Sequence, residues 1–129
     1  MILIDTSVWV DHLRRGDLAL SDLLTRSQVL THPLVIGELA LGSLRQRDTV
    51  LGALRNLPQA VVAGDDEVQA FIDRHTLFGI GIGYVDAHLL AGTLLTSGAR
   101  LWSRDKRLSD AAARLGIAAD RPAISNRAM

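Results

Sequence analysis

A chain of 129 residues, 48% of them hydrophobic and with a mean hydropathy of +0.21, has the size of one folded domain and is too apolar for disorder. Fourteen basic and fourteen acidic residues cancel, so no strong global field draws the protein to nucleic acid. The absence of cysteine excludes disulfides, thiolate metal sites and cysteine nucleophiles, which leaves oxygen and imidazole as the only metal-binding groups.

Met1 to Ile4 is a continuous apolar run, the pattern of a strand buried on both faces, and it ends at Asp5-Thr6-Ser7, where a helix can be capped. That helix, with Val8, Trp9 and Leu13 inward, runs to Arg14 and stops at Gly16; a second follows around Leu18 to Leu24. Val29 to Thr31 reads as strand two. Pro33 then opens a helix through Leu34, Val35, Ile36, Leu39, Ala40 and Leu41. An amphipathic helix over Thr49 to Leu57 ends at Pro58, and Ala60-Val61-Val62 reads as a third strand. Asp65, Asp66 and Glu67 open the next helix, where its dipole favours acids. The alternation Gly79-Ile80-Gly81-Ile82-Gly83 breaks it. A long helix then spans about Val85 to Thr96 and closes at Gly98. Arg100 to Ser103 is strand four, a last helix covers about Leu108 to Leu115, and Ile117-Ala118 adds a brief edge strand before a polar tail.

Strands alternate with helices without repeat or long linker, so the expected class is α/β, one domain over 1–129 with a mainly parallel sheet of four to five strands. No apolar run approaches the roughly 18 residues of a membrane span, and no basic segment precedes a signal-like core, so a cytoplasmic location is expected.

Four acids stand out. Asp5 follows the first strand directly, and its alternative duty is to cap the next helix, a duty that Thr6 and Ser7 can also take. Glu38 interrupts a segment that is apolar on nearly every side, and it is one of only two glutamates in the chain. Asp86 near a helix start and Asp105 in a turn after a strand are, singly, ordinary placements. Jointly they are not, because a parallel sheet brings the carboxyl ends of its strands to one rim. There, acids spaced 33, 48 and 19 residues apart can converge. Carboxylates so gathered raise one another's pKa unless a cation neutralises them.

The stretches that carry these acids resemble the PIN domain, most closely the VapC-type toxins of bacterial toxin–antitoxin pairs. Ile2-Leu3-Ile4-Asp5-Thr6-Ser7 is similar to the family's first motif and Val35-Ile36-Gly37-Glu38-Leu39 to its helical glutamate. Tyr84-Val85-Asp86-Ala87-His88 resembles the third acidic motif, and Leu101-Trp102-Ser103-Arg104-Asp105 the fourth, with Ser103 where Thr is frequent. The resemblance implies a three-layer αβα fold with strand order 3-2-1-4-5 and a divalent-metal-dependent endoribonuclease. It further implies an RNA substrate, a VapB-type antitoxin whose arginine or lysine enters the acid cluster, and a homodimer.

On that footing Asp5, Asp86 and Asp105 are expected to hold Mg²⁺ or Mn²⁺, ions that prefer oxygen ligands. Glu38 either binds a second ion or orients the attacking water. Ser7 and Ser103 are placed to orient the carboxylates through hydrogen bonds. Arg14, Arg15, Arg45, Arg47, Arg104, Lys106 and Arg107 lie near the rim as candidate phosphate contacts, although any one of them is more simply a solvated charge. His12, His32, His75 and His88 share no ligand spacing and read as structural or surface groups. Two rivals stand beside this reading. One is a metal-dependent phosphatase with Asp5 as nucleophile, which would want a second acid where Ser7 stands; the other is a non-catalytic acidic pocket for a basic peptide.

Overall fold

In the computed structural model, which describes residues 1–119, Leu3 and Ile4 are both completely buried. Neighbouring residues of a strand point to opposite faces, so this strand is covered on both sides, as its unbroken apolar run requires. It is β1 (Ile2–Ile4), the middle of a parallel sheet with β2 (Val29–Leu30) on one side and β3 (Arg100–Trp102) on the other. Ile2 pairs with Val29 and Ile4 with Trp102. Asp5 donates its N–H to the Trp102 carbonyl at 2.9 Å. That register delivers Asp5 and Ser103 together to the carboxyl edge of the sheet.

Seven helices surround these strands: α1 (Thr6–Arg15), α2 (Leu18–Thr25), α3 (Pro33–Ala40), α4 (Arg47–Arg55), α5 (Asp65–Arg74), α6 (Tyr84–Leu95) and α7 (Lys106–Arg114). α1 packs on α3 and α3 on α4, whereas α5 packs on α6, and both α6 and α7 meet β3. The α6 helix buries every residue from Ala87 to Thr93, as expected of a helix apolar all round that runs through the core. Leu89 and Leu90 of α6 are fully buried alongside Leu3, Ile4, Leu20, Leu51 and Leu108. Each such leucine contributes about 1.5–3 kcal/mol on transfer from water, so this cluster carries much of the folding free energy.

Local chemistry sets the helix ends. Pro33 stands at the first turn of α3, and the residue before it, His32, accepts the Leu34 N–H on Nδ1 at 3.0 Å. His32 is fully buried; burial first, and then the charge of neighbouring His88, lowers its pKa to about 4. At the far end of α1, Gly16 adopts φ 77° and donates its N–H to the His12 carbonyl at 2.8 Å, a conformation that costs glycine nothing. Gly92 on α6 answers a different need. A Cβ there would lie 2.7 Å from the Val61 carbonyl oxygen, so only glycine allows that close approach.

The expectation of four to five strands is corrected to three. Ala60-Val61-Val62 is not a strand: the segment makes one parallel bridge, Thr31 with Gln59, flanked by Thr31 N–H to Pro58 O at 2.8 Å and Ala60 N–H to Thr31 O at 2.9 Å. The ladder goes no further because the next β2-side donor in register would be Pro33, which has no N–H and already opens α3. The Val61 N–H, on the opposite edge, goes to the Thr96 hydroxyl at 2.8 Å. Val61 and Val62 then turn outward and lie about half exposed. At the other flank Ile117-Ala118 is likewise reduced to one parallel bridge between Ala118 and Leu101. These bridges lay the segments across the molecule in the expected lateral sequence, 58–60, β2, β1, β3, 117–119, without making strands of the outer two. The polar tail over 120–129 lies outside the described residues. Among the described residues no helix is long and apolar enough to cross a membrane.

Candidate active site at the carboxyl edge of the sheet

Asp5 is the buried acid of the group, 6% exposed. It occupies the N-cap position of α1, yet its side chain makes no capping bond. Its Oδ2 instead accepts two hydroxyl donors, Ser7 Oγ at 2.7 Å and Ser103 Oγ at 2.8 Å. Ser103 comes from the end of β3, so this pair of bonds ties the first strand's acid to the third strand. The same hydroxyls receive backbone N–H groups of the following loop: Arg104 donates to Ser7 Oγ at 3.0 Å and Asp105 to Ser103 Oγ at 2.9 Å. With its proton committed to Asp5, each serine can accept in this way. Asp105 thereby arrives beside Asp5, exposed, with Oδ1 capping α7 through the Leu108 N–H at 3.0 Å.

Glu38 reaches the same edge from the exposed side of α3, and its Oε1 accepts the Thr6 hydroxyl. Asp86, on the first turn of α6, is half-buried; its Oδ2 accepts the Gly83 N–H at 3.0 Å. Its pKa is raised by burial, and raised further by the charges of Asp5, Asp105 and Glu38, against the lowering effect of the Gly83 bond. The other three sequence-selected acids therefore all lie close enough to act on Asp86. Among the described residues none of the four forms an ion pair, whereas six other aspartates do. Nor do any three acidic or imidazole groups, among the described residues, stand close enough as they are to hold an ion. Asp86, Asp105 and Glu38 each accept one hydrogen bond, from Gly83, Leu108 and Thr6 respectively. The donor set fits a hard divalent cation: oxygen groups only, Asp5 at the end of β1 and Asp105 in the turn after β3, each acid with a second oxygen that accepts no hydrogen bond among the described residues.

The basic residues divide. Arg104 pairs through Nε with Asp11 at 2.9 Å, also pairs with Asp17, and lies over the Trp102 ring at 5.7 Å. Lys106 pairs with Asp110 at 2.8 Å and Arg15 with Asp11 at 3.8 Å. Arg47 donates to the Ala40 carbonyl at 3.0 Å. Arg14 and Arg45 make no ion pair among the described residues, and both line a cleft of about 600 Å³ that Thr6 and Glu38 border. Val10, Leu13, Leu39, Leu44 and Val50 give that cleft an apolar lining. Arg107 lies against Gly81. Sequence reading missed Thr6 as the group that holds Glu38; the signal was present in Asp5-Thr6-Ser7, where Thr6 was assigned only a capping duty.

A parallel α/β sheet with four acids assembled at its carboxyl edge is the arrangement of a PIN domain. The PIN domain family matches residues 2–114, and the chain belongs to that family. It is of the VapC type. Ribonuclease VapC32 of Mycobacterium tuberculosis (strain CDC 1551 / Oshkosh) and Ribonuclease VapC32 of strain ATCC 25618 / H37Rv are each 54% identical to it over 118 residues, which are 92% of this chain and 95% of the relative.

Proposed function

We propose that this protein is an Mg²⁺- or Mn²⁺-dependent endoribonuclease and the toxin of a type II toxin–antitoxin pair. The observation that carries the reading is Asp86: a half-buried acid that faces three further carboxylates and, among the described residues, forms no ion pair. Such a cluster costs stability unless a divalent ion offsets it. Asp5, Asp86 and Asp105 are the ligands in this reading, and Glu38 either shares a second ion or orients the attacking water. When bound, the ion supplies Lewis acidity, acidifying water for attack on phosphorus and offsetting charge on the phosphoryl oxygens. The chain's own work is orientation. Ser7 and Ser103 hold Oδ2 of Asp5 from two sides and leave Oδ1 free, and Thr6 holds Glu38 against the rim.

Phosphates flanking the cleaved bond need cations, and Arg14, Arg45 and Arg107 are the candidates that, among the described residues, pair with no acid. The partner in this reading is a VapB-type antitoxin. The apolar cleft that ends at Glu38 supports a route by which its peptide carries a basic side chain to the acids. Val61, Val62, Leu94 and Leu95, exposed around the C-terminal end of α6, support a homodimer of a cytoplasmic protein. The phosphatase rival loses ground because the position where it wants a second acid is held by Ser7, whose hydroxyl serves Asp5.

Cleavage of a labelled RNA pool with and without Mn²⁺ tests the proposal. Wild type is expected to cut only with the ion, and Asp5→Asn to lose at least about a hundredfold, since ion stabilisation of the transition state is worth several kcal/mol. Asp66→Asn, which removes a charge elsewhere, is expected to cut like wild type. Cleavage in EDTA, or by Asp5→Asn at the wild-type rate, would overturn the reading.

A further inference from the structure

The first turn of α6 bears Asp86 but has no anchor of its own. It is fed by the glycine-alternating segment, in which Gly79 and Gly81 both take positive φ. Gly83 at its N-cap has no side chain, and the local side-chain bond at that end is the one that Asp86 itself accepts from the Gly83 N–H. A second anchor comes from α5. Asp65 Oδ1 accepts the Tyr84 hydroxyl at 3.0 Å and sits 3.3 Å from His88 Nε2. The two α6 side chains meet edge to face, ring centroids 4.7 Å apart.

We propose that Asp65 is a positioning residue for Asp86, gripping the first turn of α6 from behind through Tyr84 and His88. The inference rests on the reading of Asp86 as a metal ligand. Tyr84 and His88 are four apart and share one side of the helix. Asp86, two residues from each, points to the opposite side at about 100° per residue. The acid on α5 therefore holds the back of a turn whose front carries the acid of the site. Asp65 is free for this task because Glu67 performs the helix-capping duty at that end, accepting the Gly64 N–H on Oε1 at 2.8 Å. Its neighbour Asp66 provides the matched comparison: the same charge on the same helix turn, without the Tyr84 hydrogen bond or the approach to His88.

Two measurements on the full chain test this: Mn²⁺ affinity, from the electron paramagnetic resonance signal of free ion, and hydrogen exchange at the Ala87 and His88 amides, which close the first turn of α6. Asp65→Ala is expected to weaken Mn²⁺ binding about fivefold, below the ~10–100-fold typical for a ligand's immediate partners. It should also speed exchange at those two amides, whereas Asp66→Ala changes neither. Tyr84→Phe, which deletes one hydroxyl, should fall between them and covers the case in which Asp65→Ala does not fold. Equal exchange in Asp65→Ala and Asp66→Ala would overturn the proposal whatever the metal does. Faster exchange with unchanged Mn²⁺ affinity would overturn it as well, leaving Asp65 a structural contact only. If wild type binds no Mn²⁺, the ligand reading of Asp86 falls first and this inference with it.

Discussion

Replacing Asp86 by asparagine separates what the acid cluster costs the fold from what it does. The folded protein holds the Asp86 carboxyl above its ordinary value of 3.8, through burial first and then through Asp5, Asp105 and Glu38. A raised folded pKa means that the native state binds this proton more tightly than the unfolded chain does. Its contribution to stability is therefore full below the ordinary aspartate range and is lost as pH rises through the raised value. At neutral pH the ionised group is a net cost. Like charges that water reaches interact by less than about 1 kcal/mol per pair, and Glu38 and Asp105 are exposed, so relief of all three repulsions is worth on the order of 1 kcal/mol. Asparagine keeps an oxygen for the Gly83 N–H. In EDTA at pH 7, Asp86→Asn should therefore melt about 4 °C above wild type, and the gap should close below pH ~4. Saturating Mn²⁺ should reverse the order, since an ion at 100 times its Kd adds about 2.7 kcal/mol to a protein that binds it and nothing to one that does not. Cleavage by the variant should fall at least about a hundredfold. The reasoning is refuted if the variant is no more stable than wild type in EDTA, or if Mn²⁺ shifts both melts equally.

Acid should unfold the protein partly through His32, whose folded pKa of about 4 lies below its ordinary 6.5. Stability present above pH 6.5 should fall by on the order of 3 kcal/mol as pH drops toward 4, and an NMR titration of His32 with a midpoint near 6.5 would contradict this. Arg104→Ala should lower the urea midpoint, by about 1 kcal/mol of stability after allowance for solvent around the guanidinium, because it leaves Asp11 and Asp17 without their shared partner. A salt slope of RNA binding reduced by about 1, at unchanged stability, would place Arg104 on phosphate instead. Gly92→Ala forces a methyl against the Val61 carbonyl and should cost about 1–3 kcal/mol in urea unfolding; wild-type stability would show that the Val61 segment moves aside freely.

What the sequence made legible was whatever local chemistry decides. The unbroken run Met1 to Ile4 gave a doubly covered strand, Pro33 marked the first turn of α3, and four acids embedded in short motifs were met together at one edge. Where tertiary partners decide, the reading failed or was silent. Ala60-Val61-Val62 has the composition of a strand, but the segment it would pair with turns into α3 at Pro33, which has no N–H to continue the ladder. The last helix starts at Lys106 rather than Leu108 because Asp105 caps it, a role that competed with its assignment to the acid cluster. Asp65 was explained by the helix dipole alone, since nothing in the segment Asp65-Asp66-Glu67 distinguishes the residue that reaches α6. Ion pairs such as Arg104 with Asp17, eighty-seven positions apart, have no local signature at all.

The narrowing of the sheet at Pro58 has a bearing on solubility. A bare strand flank invites backbone pairing from another chain, and proteins commonly guard against that with proline, shortness or a diverted amide. Here two of these meet within three residues: a ladder one bridge long, and an outward amide, that of Val61, already claimed by Thr96. Growth of the sheet into a second molecule is discouraged on that flank, so self-association is steered toward helical surfaces, and unmasking the Val61 amide with Thr96→Val should raise the tendency to form β-rich aggregates.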